Sequence, residues 1–216
     1  MKHLKNIIFD LGVVLLNIDY ALTAASFRKL GVQDFEKQYS YEGQQQLYND
    51  YEKGFLSKEE FCERLRGICA LPLTDEQIAS AWNSMLLDFP AEREALLARL
   101  GSRYRLFLLS NTNSMHVEAF TRSLREQFGY DIFEKHFEKA HFSSDIGMRK
   151  PDLEIFRHVL QSHGLEPEET LFIDDVQSNV DAARQVGIQA VLLKPGQDVI
   201  GLLNELTELH ISTDEN

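Results

Sequence analysis

The run Ile7-Ile8-Phe9-Asp10-Leu11-Gly12 constrains this chain more than any other stretch. A short apolar run from Leu4 to Phe9, broken only by Lys5 and Asn6 and closing on Ile7-Ile8-Phe9, reads as a strand buried on both faces, the kind found in parallel sheets. It stops at a carboxylate, and a glycine follows two residues later. Parallel α/β sheets bind their ligands beyond the carboxyl ends of the strands, so Asp10 is delivered to that edge. Taken alone, the residue fits a nucleophile, a metal ligand, a helix cap or a turn.

The pattern downstream is first helical and then alternating. From Tyr20 to Asp88 there is no convincing strand. Leu22, Phe27 and Leu30 fit a helix ending at Gly31, and Tyr48 and Tyr51 fit a second ending at Gly54. Ser57 with Glu60 has capping-box spacing ahead of Phe61, Leu65 and Ile68. Thr74, Asp75 and Glu76 open a fourth helix with Ile78, Trp82 and Met85 on one side. The aromatic residues of this insertion are expected to fill its core rather than form a substrate platform. Strands are then expected at Tyr104–Leu109, Lys139–Phe142, Thr170–Ile173 and Ala190–Leu193. Helices lie between them, and 143–151 forms a loop. Strand alternating with helix predicts an α/β fold: a Rossmann-like three-layer sandwich with a central parallel sheet. A small helical cap is inserted after the first strand. The expected division is 1–18 with 89–216 as core and 19–88 as cap, with a frayed tail after Ile211.

Composition narrows the partners. A formal charge of −12 argues against nucleic acid or an anionic membrane surface, so a bound phosphate needs local donors. No run reaches membrane-spanning length, and Lys2, His3 and Lys5 precede an apolar stretch too short for a signal peptide. Cys62 and Cys69 lack the further ligands a zinc site needs and read as buried thiols of a reducing, cytoplasmic compartment. The seven histidines show no clustering in sequence. The expected partner is a small phosphorylated metabolite, bound by a monomer or homodimer.

Four strand ends carry polar groups: Asp10; Ser110 with Asn111; Lys150; and Asp174 with Asp175. In a parallel sheet they lie along one edge. Three carboxylates suit Mg²⁺, a hard cation that takes oxygen ligands and keeps positions for water and phosphate. The Lys150 ammonium offsets the crowded charge, and Ser110 with the amides near Asn111 supplies neutral donors. An ionised Asp10 in this company can attack phosphorus and form an aspartyl phosphate.

This order of motifs resembles the haloacid dehalogenase superfamily over nearly the whole chain. The likeness rests on Phe9-Asp10-Leu11-Gly12-Val13-Val14, Leu109-Ser110-Asn111-Thr112-Asn113, Gly147-Met148-Arg149-Lys150-Pro151 and Phe172-Ile173-Asp174-Asp175 with Asn179. The inserted helices look like the family's type 1 cap. The resemblance implies a phosphatase with Asp10 as nucleophile and metal ligand, and the Gly12 carbonyl as a further ligand. It assigns Ser110 and Asn111 to the phosphoryl oxygens, Lys150 to charge neutralisation, and Asp174 and Asp175 to Mg²⁺.

One position departs from the pattern. Most phosphatases of the family carry a second aspartate two residues after the nucleophile, as general acid and base, and here that residue is Gly12. Such help is worth about 10²–10⁴ in rate. A leaving group that departs easily, such as the anomeric oxygen of a hexose 1-phosphate, asks for less of it; Asp19 or a cap residue is the alternative source. Arg149 is expected to be a surface or cap-facing charge. Two rival functions remain, a 2-haloacid dehalogenase and a catalytically weak phosphate-binding module.

Overall fold

The computed structural model describes residues 4–33, 35 and 42–207. Its centre is a five-stranded parallel sheet formed by β1 (Asn6–Phe9), β2 (Arg105–Ser110), β3 (Lys139–Phe142), β4 (Thr170–Asp174) and β5 (Gln189–Leu192), in the order β3-β2-β1-β4-β5. Period-two alternation splits the strands between two layers. Ile7, Phe9, Leu106, Leu108, Leu171 and Ile173 enter one apolar cluster. Ile8, Phe107, Leu109 and Phe172 enter the other. Helices Ala91–Leu100, Ser114–Phe128, Ile132–His136 and Val199–Thr207 feed the first cluster, and Leu153–His163 and Gln177–Gln185 feed the second. Burial on both faces explains the apolar runs Ile7-Ile8-Phe9, Leu106-Phe107-Leu108-Leu109 and Leu171-Phe172-Ile173 in the three central strands.

Between β1 and the helix Ala91–Leu100 that leads into β2, the described residues form α1 (Tyr20–Lys29), α2 (Glu42–Glu52), α3 (Lys58–Cys69) and α4 (Asp75–Asn83). Ser57 forms the expected capping box with Glu60, and Thr74 forms a second, unexpected one with Gln77. The four helices close around their own aromatic core. Phe61 stacks on Tyr51 at 4.0 Å, Tyr48 stacks on Trp82 at 5.6 Å, and both cysteines are buried. The residues entering and leaving the insertion pair with each other: Asn17 donates to the Asp88 carbonyl, Leu87 to Asn17, and Asp19 to Met85.

Three short stretches differ from expectation. Residues 143–146, read as loop, form a single helical turn, Ser143–Ile146, capped by Gly147 in the left-handed region. Ile132–His136 and Val199–Thr207 are helices that the periodicity did not announce. At five residues, Ile132–His136 is too short to show a clear helical repeat. The tail after Ile211 lies outside the described residues. Among the described residues, no helix is long and apolar enough to cross a membrane.

Candidate active site

Register brings the acidic residues together. Phe9 pairs with Ile173, and the Asp10 amide donates to the Ile173 carbonyl at 2.9 Å, so Asp10 and Asp174 leave neighbouring strands side by side. Carboxylate oxygens of Asp10, Asp174 and Asp175 all lie within 4.8 Å of one another. Lys150, only 1% exposed, bridges the first two: its Nζ donates to Asp10 Oδ1 at 2.8 Å and to Asp174 Oδ2 at 2.7 Å.

Asp174 is the most heavily bonded of the three. Beside Lys150 it accepts from the Val176 amide at 2.8 Å and from Asn179 Nδ2 on both oxygens, at 3.1 and 3.0 Å. Burial, against the pull of Lys150 and with a push from Asp174, raises the Asp10 carboxyl to about 7. Burial and then Asp174 raise Asp175 as well. Burial works against the Lys150 ammonium too, yet Asp10 and Asp174 leave it raised and charged. One ammonium thus faces three crowded carboxyls, a shortage of positive charge that an oxygen-seeking divalent cation would supply.

Apart from Asp174 and Asp19, the predicted residues line one cavity. Ser110 is buried and lines the cavity above Asp10 together with Gly12, Asn111, Lys150 and Asp175. The Asn111 side chain is committed elsewhere. Its Oδ1 accepts from the Lys150 amide and its Nδ2 donates to the Lys150 carbonyl, both at 2.8 Å, so it clamps the lysine's backbone in position. After Asp10 the chain turns sharply. Val13 sits at φ +63°, a strained setting for a β-branched residue, and the Gly12 carbonyl accepts from the Val14 amide at 2.6 Å. That leaves the oxygen's second lone pair for a further partner. Asp19 caps α1 by accepting from the Ala21 amide at 2.9 Å and does not line the cavity.

The cavity holds about 490 Å³ between the strand edge and the inserted helices, within the usual range for small-molecule sites. Four consecutive residues at the end of α2 hold its roof against the sheet layer. The Tyr51 hydroxyl meets Ser114 Oγ at 3.1 Å, Glu52 pairs with Arg149, and Lys53 reaches Asp152 at 3.3 Å. Gly54 completes the set at φ +68°, where an added Cβ would come within 2.1 Å of the Ser144 carbonyl oxygen.

A neutral network forms the back wall. His116 Nδ1 accepts from Asn113 Nδ2 at 3.1 Å, its Nε2 donates to the Trp82 carbonyl at 3.3 Å, and its ring stacks on Trp82 at 5.5 Å. Burial, opposed by the Trp82 carbonyl, pushes His116 down to about 4 and so keeps it neutral, and the carbonyl, able only to accept, places the ring proton on Nε2. Sequence reasoning passed over His116, Glu52 and the clamping role of Asn111. The expectation that the histidines form no cluster fails away from the cavity: His141 Nε2 lies 2.9 Å from His163 Nε2, and His158 meets His141 edge to face. These three come from a strand and a helix that no sequence spacing links.

Comparison with known proteins agrees with the strand-edge geometry. The family model described as haloacid dehalogenase-like hydrolase matches residues 7–193. A D-ribitol-5-phosphate phosphatase from Bacteroides thetaiotaomicron is 30% identical over 195 residues, covering 90% of this chain and 94% of that protein. A sesquiterpene phosphatase from Aspergillus oryzae is 27% identical and covers 95% of this chain and 96% of its own. A HAD family enzyme from Bacteroides thetaiotaomicron, crystallised with magnesium and inorganic phosphate, superposes with a TM-score of 0.83 at 36% identity, covering 92% of this chain and 98% of that one.

Proposed function

Because the chain belongs to the haloacid dehalogenase-like hydrolases, we propose that it is a Mg²⁺-dependent phosphatase of a small sugar or polyol phosphate, working through an aspartyl phosphate on Asp10. The observation that carries this reading is the trio Asp10, Asp174 and Asp175 within 4.8 Å, with Lys150 bridging two of them. Halide displacement needs no such concentration of carboxylates, which favours phosphorus over a haloacid substrate. The phosphatase relatives and the magnesium–phosphate complex of a related enzyme point the same way.

In this reading Asp10, Asp174, Asp175 and the Gly12 carbonyl hold Mg²⁺, which supplies charge stabilisation at the transferring phosphoryl group. An Asp10 carboxylate oxygen forms the new bond to phosphorus as the ester P–O bond breaks. The electron pair leaves on the alcohol oxygen, which takes up a proton. Water then adds to phosphorus, frees the Asp10 carboxylate and releases inorganic phosphate. Lys150 offsets charge on the phosphoryl oxygens and Ser110 donates to them. Asn111 serves through its backbone and by holding Lys150 in place. Residues 19–88 act as the cap and 1–18 with 89–216 as the catalytic core. A hexose 1-phosphate suits the absence of an acid at Gly12, because its leaving group demands least protonation. The buried thiols suit a reducing compartment, and we place the protein in the cytoplasm.

Phosphate release from para-nitrophenyl phosphate with and without EDTA tests the metal, and activity untouched by chelation sinks it. Asp10→Asn is expected to lower turnover by at least about 10⁴-fold. Retained turnover in that variant removes Asp10 as the nucleophile.

A further inference from the structure

The cavity faces a sugar or polyol with fewer open polar groups than its lining suggests. Both side-chain atoms of Asn111 are taken by the Lys150 backbone. Asn113 is taken by His116, and both ring nitrogens of His116 have partners. The Thr23 hydroxyl donates to the Trp82 carbonyl. Glu52 is different. It lines the cavity from the insertion side, and Arg149 grips only one of its oxygens: Nε lies 3.1 Å and Nη2 2.9 Å from Oε2. A bidentate arginine–carboxylate pair would use both oxygens. Here Oε1 accepts no hydrogen bond from the described residues.

We propose that Glu52, held in place by Arg149, is a specificity-determining residue that accepts a hydrogen bond from a hydroxyl on the alcohol part of the phosphate ester. The inference rests on the phosphatase reading above and adds what the cap selects. Three features support it. Glu52 ends α2, in the stretch that seats the insertion on the core, so its carboxylate faces the strand edge across the cavity. Arg149 immediately precedes Lys150, so the pair stands next to the phosphate-handling lysine, where the alcohol begins. Burial raises the Glu52 carboxyl although Arg149 pulls it down, so this carboxylate is short of donors and gains from one more. A hydroxyl supplies that donor; an alkyl chain leaves the oxygen stripped of water and unpaired, which is how such sites reject analogues.

The test compares kcat/KM with Mg²⁺ for three esters: a pentitol 5-phosphate, pentyl phosphate and para-nitrophenyl phosphate. Wild type is expected to prefer the pentitol ester to the pentyl ester. In Glu52→Ala that preference ratio is expected to fall about 10- to 100-fold, as for loss of a hydrogen bond to a charged group. Glu52→Gln, which keeps the shape and loses the charge, is expected to fall part of the way, and it serves if the alanine variant does not fold. A Glu52 that only latches the cap would lower all three esters together and leave the ratio unchanged. A Glu52 acting as the missing general acid would lower both alkyl esters alike and spare para-nitrophenyl phosphate. Either result overturns the proposal, as does a wild type with no pentitol preference. Release of phosphate from none of the three by wild type would instead remove the phosphatase reading beneath it.

Discussion

The floor and the back wall of the cavity both bury polar side chains, and they do so in opposite ways. At the floor the groups are charged. Lys150 and Asp174 are all but sealed from solvent and hold each other at 2.7 Å, with Asn179 and the Val176 amide completing the aspartate's partners. At the wall the groups are neutral: His116, Asn113 and the Trp82 carbonyl exchange ordinary hydrogen bonds beneath a stacked aromatic pair. Burying charge is tolerable only while every charge keeps its partner, whereas a neutral network costs little and mainly orients what it touches. The floor therefore suits electrostatic chemistry, and the wall suits a fixed shape.

Removing one partner at the floor gives the largest expected effect on stability. Lys150→Met fits the volume but leaves Asp10 and Asp174 facing each other without a cation. Breaking a buried pair in this way costs about 3–5 kcal/mol. Urea unfolding should show the loss at pH 8, above the value of about 7 to which Asp10 is raised, and added Mg²⁺ should recover part of it. A loss below 1 kcal/mol would mean that the floor is far wetter than its burial indicates, and the contrast with the wall would go with it.

The wall should respond to acid. His116 titrates near 6.5 when unfolded and at about 4 in the folded protein, because burial disfavours its charged form. The unfolded chain thus binds the proton more tightly. The stability that His116 contributes is complete above pH 6.5 and is lost as pH falls through about 4, by about 3 kcal/mol in all. His116→Gln lacks this titration, so the stabilities of variant and wild type are expected to converge between pH 7 and pH 4. Parallel curves would show that His116 is not held neutral.

The same contrast explains what could be read from the sequence. Most of the floor was legible because its oxygen-bearing residues end apolar strands: Asp10, Ser110, Asp174 and Asp175 occupy positions that parallel-sheet geometry forces to one edge, while Lys150 follows the turn Ser143–Ile146 rather than a strand. The strands themselves were found to within a residue or two, since burial on both faces leaves unmistakable apolar runs. The wall and roof were not legible. His116 lies on a helix face that reads as ordinary amphipathic sequence, and Trp82, which it meets, is 34 positions earlier. Glu52 and Arg149 are 97 residues apart and meet where the insertion, at Gly54, closes on Ser144. Asn111 was placed correctly and given too simple a duty, because a side chain's partner is a tertiary fact. Asp19 turned out to be a helix cap, the commonplace use of an aspartate before a helix.

The smallest expected effect asks whether roof and floor open together. Ser57 caps α3 by accepting from the Glu60 amide at 3.1 Å, while Glu60 Oε2 accepts from the Ser57 amide at 2.8 Å. Ser57→Ala should cost about 1 kcal/mol. That helix carries Phe61 into the insertion's core, against Tyr51, but touches neither the sheet nor the carboxylates. If the insertion opens as its own cooperative unit, amides of α3 should exchange about fivefold faster while those of β1 and β4 keep their rates. Because the aromatic core of the insertion is largely separate from the two clusters that flank the sheet, this local response is the expected one. Equal acceleration in β1 would instead tie the two regions into a single unit. Met115, the core-helix residue packed in the insertion's cluster, would then join the Tyr51, Glu52 and Lys53 pairs as contacts through which they communicate.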